Sequence, residues 1–316
     1  MGKVAISSSN IMYMAARENL ATIVVRRLHG RLSASAAAFT ARNASVEAFL
    51  NLIIKPIQMS TQSTSIFTRL FRILHLLFWF FRAGYHLFRL REYNQHSKDV
   101  MQDLARSMLK VLHIRIEANP NNPPFPPVFL GAANHVSWLD PMILMAMYPT
   151  VFIAKREIRS WPVLGAVVVR TGAVFINRNS RNDVAPVNEA IVRSMSAGHS
   201  VSFFPESKAS DGMALLPFKA ALFQSALDSG LPVVAVALRY CDSVGRRSTA
   251  PAYAGNTSLL TALWRIVSMP EIIVRADCSE PLTLNAEEAA DASARFLLKD
   301  KAEAFVGAIV NGEDKG

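Results

Sequence analysis

From residue 98 onward, short apolar runs alternate with helical periods. VLHIRIEA (111–118) repeats every second residue, as a strand does when one face is buried. The segment 119–127, with five prolines among nine residues, is a loop by its turn chemistry. Further strands are expected at 128–133, 151–155, 173–176, 200–204, 232–240 and 272–276, and a compact apolar element at 163–170. Helical runs are expected at 138–148, 183–197 and 218–229, with one helix or two over 286–310. Strands separated by helices imply parallel pairing, so the pattern predicts an α/β fold with a mostly parallel central sheet flanked by helices.

The pattern differs before residue 98. IFTRLFRILHLLFWFFRAGYHLFRL (66–90) carries Arg69, Arg72, Arg82 and Arg89, with Arg91 just beyond and no carboxylate before Glu92. Leu70, Phe71, Leu74, Leu77, Phe78 and Phe81 form one helical face, while Ile73, Trp79 and Phe80 cover the other side. The uninterrupted apolar core, apart from His75, runs from Ile73 to Phe81. Nine residues at about 1.5 Å each fall short of a hydrocarbon layer about 30 Å thick. Two membrane arrangements follow: a short, tilted span with snorkelling arginines, or a monotopic helix lying in the interface with aromatics down and arginines at phosphate level. The competing reading is a core helix of a soluble body. His75 and His86 are expected on the helix surface. The chain is thus expected to divide into an extension at 1–58, a membrane-associated helical segment at 59–97 and an α/β body at 98–312.

Composition narrows the function classes. Of 316 residues, 51% are hydrophobic and 18% charged, which excludes a disordered chain. Lys and Arg number 34 against 24 Asp and Glu, for a net charge of +10. An apolar, basic chain suits nucleic acid or an anionic membrane. Between Met1 and Arg91 the only carboxylates are Glu18 and Glu47, so the excess is concentrated around the apolar segment and favours membrane lipid over nucleic acid. Residues 1–58 are rich in Ala and Ser and resemble a transit peptide, without the apolar run and cleavage site of a secretory signal. Two cysteines, Cys241 and Cys278, are too few for a disulfide framework, and the seven histidines form no zinc-ligand spacing. No metal or redox cofactor is expected, and the membrane's cytoplasmic face is the expected location.

The candidate chemistry lies where apolar strands end in polar residues. The strand at 128–133 runs into Asn134-His135-Val136-Ser137-Trp138-Leu139-Asp140-Pro141. In open α/β sheets, ligands bind at the carboxyl ends of the strands. If the chain turns between His135 and Asp140, the carboxylate can meet one imidazole nitrogen and leave the other as a general base. The alternative is a plain strand-to-helix connection capped by Ser137 or Asp140. Phe203-Phe204-Pro205-Glu206-Ser207-Lys208 follows another strand, and Glu206 is expected to face the same sheet edge as His135. GAVFINR (172–178) ends a third strand with Arg178, a candidate anion holder. No Gly-x-Ser-x-Gly elbow or phosphate-binding glycine loop occurs, so direct transfer assisted by His135 is favoured over a covalent acyl-enzyme.

Asn134-His135 with Asp140, GAVFINR, FFPES and PVVAVAL (232–238) together resemble the four ordered blocks of the lysophospholipid acyltransferase family, the superfamily of glycerol-3-phosphate and 1-acylglycerol-3-phosphate acyltransferases. Residues 154–158 and 162–165 resemble the segment between its first two blocks. The resemblance implies O-acyl transfer from acyl-CoA or acyl-carrier protein to a lysolipid hydroxyl, with His135 as base and Asp140 orienting it. By the same likeness Asn134, Lys155, Arg178, Phe204, Pro205, Glu206, Ser207 and Lys208 would bind the acceptor. The third block departs from the family's usual Phe-Pro-Glu-Gly-Thr-Arg-Ser: Ser207, Lys208 and Ala209 stand where Gly, Thr and Arg are usual. Ser207 removes the permissive glycine, so altered dihedrals are expected there. The second block carries Asn177 where Asp is common, and the fourth Ala235 where Pro is common. The stretch from Ser210 to Lys219 resembles members that acylate lyso-ornithine lipid. That phosphate-free acceptor, or a non-catalytic lipid-binding relative, is the alternative reading.

Overall fold

The computed structural model describes residues 63–90, 94–155, 160, 169, 172–176 and 184–312. The extension at 1–58 and Arg178 lie outside these residues, as does nearly all of the apolar element at 163–170. Helices α1 (Ile66–Arg89) and α2 (Gln95–Val111) lead into strands β1 (Ile114–Ala118) and β2 (Leu130–Ala133). Helix α3 (Asp140–Met147), β3 (Val151–Lys155), β4 (Val174–Ile176), α4 (Val184–Ser196) and β5 (Val201–Phe203) follow. A 3-10 turn (Ala221–Phe223) runs into α5 (Gln224–Ser229), β6 (Val233–Cys241), α6 (Leu259–Ser268), β7 (Ile272–Cys278), α7 (Ala286–Ala290) and α8 (Ala294–Val310).

The seven strands are ordered β1-β7-β6-β2-β5-β3-β4. Every neighbouring pair is parallel except β6 and β7, which run antiparallel from Val236↔Cys278 to Cys241↔Ile273. The sheet is mostly parallel, as expected, and departs from parallel pairing at this one seam. The reason is the long β6–α6 connection, which returns the chain to the sheet at the end where β6 finishes.

Strand β6 explains the layering. Val234, Val236, Leu238 and Tyr240 face one apolar cluster, with α1, α2, α3 and α6. Val233, Ala235 and Ala237 face the other, with α4, α5 and α8. A strand buried on both faces reads as a continuous apolar run, which is why it was so visible in sequence. In β2, Gly131 is required by close approach: a Cβ there would lie 2.5 Å from Ser202 Oγ and 2.9 Å from the Tyr148 hydroxyl.

Helix α1 is part of the body's packing. Arg72, Leu76, Trp79 and Ala83 form its buried stripe, and Leu76, Trp79 and Ala83 belong to the same core cluster as α2 and α3. The indole of Trp79 donates to Leu104 O at 3.1 Å and Ser107 Oγ at 2.8 Å on α2. Arg72 is buried rather than at phosphate level: its guanidinium caps the end of α6 by donating to Val267 O at 3.1 Å, to Pro270 O at 2.9 Å and to Met269 O. Burial lowers its pKa. The face of Leu70, Phe71, Leu74, Leu77, Phe78 and Phe81 points outward, with Phe67 80% and Phe81 79% exposed. His75 and His86 are exposed, as expected. Among the described residues, no helix is long and apolar enough to cross a membrane.

Candidate active site

The site forms where β2 ends. Asn134 extends the β2–β6 ladder with its side chain: Nδ2 donates to Leu238 O at 3.0 Å, and Oδ1 accepts from Leu238 N at 2.7 Å. The next residue, His135, is held through its main chain by the loop after β5. Its N–H donates to Glu206 Oε1 at 2.6 Å, and its carbonyl accepts from Ser210 N at 2.8 Å. The Val136 carbonyl accepts from Tyr253 N at 2.8 Å, which ties the β6–α6 connection to the same turn.

Asp140 opens α3, with Pro141 behind it, so the helix begins two residues later than its apolar pattern suggested. Its carboxylate is fully buried and gathers four donors. Oδ2 lies 2.7 Å from His135 Nδ1 and accepts from Val136 N at 2.7 Å and Ser137 N at 2.9 Å. Oδ1 accepts from the Tyr240 hydroxyl at 2.5 Å. Because the carboxylate can only accept, Nδ1 of His135 is the donor, and in the neutral imidazole the lone pair therefore sits on Nε2. The imidazole is about one-fifth exposed and stacks on Phe204 with ring centroids 4.3 Å apart. This is the geometry of an oriented general base.

The residues expected to bind acceptor fall into three groups. Asn134 and Glu206 are buried, and their side-chain polar atoms hydrogen-bond to backbone partners. Glu206 Oε2 accepts from Leu216 N at 3.1 Å, which fastens the following loop to His135. Burial raises its pKa to about 7 against the pull of the two N–H donors. Phe204 packs on the imidazole, and Pro205 is buried with its carbonyl accepting from Lys219 N. Lys208 is exposed at the rim, and β3 brings the backbone of Lys155 to the same sheet edge. Ser207 departs from the dihedral expectation: its φ is 64°, the left-handed conformation in which glycine is favoured. A serine therefore occupies the glycine-like turn unchanged, closed by Ser207 N donating to Phe204 O at 3.0 Å.

Comparison with known proteins follows the same residues. A family model described as Acyltransferase matches residues 111–239. The 1-acyl-sn-glycerol-3-phosphate acyltransferase of Neisseria meningitidis is 46% identical over 253 residues, covering 80% of this chain and 97% of that protein. The chain belongs to the acyltransferase family. It is an enzyme of the 1-acylglycerol-3-phosphate acyltransferase-like kind. The lyso-ornithine lipid O-acyltransferase of Pseudomonas aeruginosa is 33% identical over 153 residues, 48% of this chain and 58% of that protein. The crystal structure of the 1-acyl-sn-glycerophosphate acyltransferase PlsC from Thermotoga maritima shares the fold, with TM-score 0.55 and 18% identity over 79% of this chain and 98% of that one.

The family match ends at Arg239, one residue short of Tyr240. That phenol is the functional group sequence reasoning missed. Its only signal was parity: it continues the Val234, Val236, Leu238 face of β6 toward the turn that holds Asp140. Burial, and then the Asp140 charge, keeps the phenol protonated by raising its pKa well above the usual value.

Proposed function

We propose that this chain transfers a fatty acyl group from acyl-CoA or acyl-carrier protein to the free hydroxyl of 1-acylglycerol 3-phosphate at a membrane surface. The observation that carries the reading is the single-sided hydrogen bond between His135 Nδ1 and Asp140, which leaves Nε2 as the base. Nε2 takes the acceptor's hydroxyl proton as its oxygen attacks the thioester carbonyl. The C–S bond then breaks, and the departing thiolate takes the proton from the imidazolium, so the histidine ends as it began. Asp140 stabilises the positive ring in between. The step balances without a metal or redox group.

Lys155, Arg178 and Lys208 are the cations proposed for the acceptor's phosphate. The exposed phenylalanines of α1 would lie in the cytoplasmic leaflet as a monotopic anchor, among basic residues suited to anionic lipid. Nucleic acid has no place in this reading. A second acceptor, lyso-ornithine lipid, is favoured by Ser207-Lys208-Ala209 and by the Pseudomonas relative; the longer and closer Neisseria match favours the phosphate acceptor.

Two measurements test the proposal. His135→Ala should abolish thiol release from acyl-CoA in the presence of lysolipid while the chain remains folded by circular dichroism; retained turnover would refute the base. Offering 1-acylglycerol 3-phosphate and lyso-ornithine lipid together decides the acceptor, and preference for the second overturns the headline reading.

A further inference from the structure

We propose that α6, on the catalytic body itself, is a second lipid-docking element that seats the His135 edge directly on an anionic bilayer. This rests on the membrane reading of α1 and extends it to a part of the chain that its apolar segment does not contain.

Three observations converge. Leu259 and Leu260 open α6 and are 53% and 70% exposed, two adjacent leucines left uncovered by the described residues. They follow directly on Ser258, the helix cap, so they stand at the rim rather than along a packed face.

The second observation is position. The β6–α6 connection hydrogen-bonds the catalytic turn through Tyr253 N to Val136 O, six residues before Leu259. At its other end, α6 is bonded to α1 by Arg72 and by Thr64, whose N–H donates to Ser268 O at 3.0 Å. The Arg69 guanidinium lies 5.3 Å from the centre of the Trp264 ring, one helical turn along from Leu260. Helix α6 is therefore the piece of structure between the aromatic face of α1 and the turn carrying His135.

The third is charge. Neither α1 nor α6 contains a single carboxylate, whereas Arg69, Arg82, Arg89 and Arg265 are distributed over them. Exposed leucine and phenylalanine among cations and no anions fit a leaflet containing anionic lipid, and do not fit a partner protein's mixed surface. An acceptor lysolipid in that leaflet would reach Nε2 of His135 by moving within the interface, without its acyl chain crossing water.

The test places an environment-sensitive fluorophore on Leu260→Cys in the full chain; Cys241 and Cys278 are buried, and the unsubstituted protein reports their background. Labels on Phe71→Cys of α1 and Phe296→Cys of α8 serve as references. With vesicles of phosphatidylcholine and phosphatidylglycerol, labels at 260 and 71 should shift to the blue and be quenched by spin-labelled lipid, while 296 stays aqueous. If 71 enters the bilayer and 260 does not, the α6 inference is overturned and the α1 reading stands. If neither enters, both fall. As a functional arm, Leu259→Glu with Leu260→Glu should lower the ratio of vesicle-borne to detergent-dispersed acceptor turnover by about tenfold or more. An unchanged ratio refutes the inference.

Discussion

Tyr240→Phe removes one oxygen from the molecule and tests how the base is held. In the wild-type chain the phenol donates to Asp140 Oδ1 at 2.5 Å, within a turn that water does not reach. The other carboxylate oxygen keeps its three donors in the variant. The loss is therefore one hydrogen bond to a charged group, about 1.5–3 kcal/mol of stability. At about 2–4 °C per kcal/mol for a domain of this order of size, the melting temperature should fall by about 3–12 °C. Turnover should fall as well, because a carboxylate released on one side no longer fixes the imidazole plane. A loss of about 1.4 kcal/mol in transition-state stabilisation corresponds to about tenfold in kcat. Thermal melts of the detergent-solubilised full chain and thiol release from acyl-CoA measure the two effects. Tyr148→Phe is the control: its hydroxyl is also buried, 3.2 Å from Ser202 Oγ, but has no path to Asp140. That variant should lose stability with kcat retained. If Tyr240→Phe keeps its kcat, or if both variants lose it equally, the phenol does not position the base.

Three further outcomes follow from the geometry. Glu206 has an ordinary pKa of 4.5 raised by burial to about 7, so the native state holds a proton that the unfolded chain releases. Its contribution to stability is full below about 4.5 and is lost as pH rises through about 7. Glu206→Gln removes that slope, and the variant-minus-wild-type melting difference should rise between pH 5 and 8; a constant difference contradicts the shift. Ser207→Gly relieves a left-handed conformation costing about 1–2 kcal/mol and adds unfolded-chain entropy of about 0.4–1 kcal/mol, for a net gain of up to about 1.6 kcal/mol. A lowered denaturant midpoint would show that the turn is not strained. Gly131→Ala drives a methyl into Ser202 Oγ and should cost about 1–3 kcal/mol, with part recovered when Ser202→Ala is added. Purely additive losses in that cycle would place the strain elsewhere.

What could be read from sequence was what depends on local period. The strand at 151–155 is found as expected, and the other described strands shift by one to three residues at their ends. The possible break within 286–310 is real, falling between α7 and α8. Helices α2 and α6 escaped the reading. In α2 the apolar positions Met101, Leu104, Ala105 and Met108 are separated by a strongly polar face, and its capping box is Asn94 with Ser97 rather than a Ser or Thr with Glu. The His135–Asp140 pairing was legible because five residues of turn suffice to make it. The partners of Glu206 and Tyr240 were not. They join residues 71 and 100 positions apart, and no spacing rule reaches that far. The aromatic face of α1 was legible from periodicity; its inner stripe with Arg72 was not, because the carbonyl that Arg72 caps at Val267 lies 195 residues away and no local period reaches it.

The Arg72 clamp has a consequence for how the chain is made. The carbonyl at Val267 that Arg72 caps lies 195 residues further along. At about 5–20 residues per second, synthesis leaves this helix without that partner for about 10–40 s. During that interval the aromatic face is complete and α2 is available to Trp79, while Arg72 still lacks its carbonyl partners. On the proposed membrane reading of α1, that face can enter a bilayer during this interval, so the enzyme would meet its lipid before it has a finished catalytic domain.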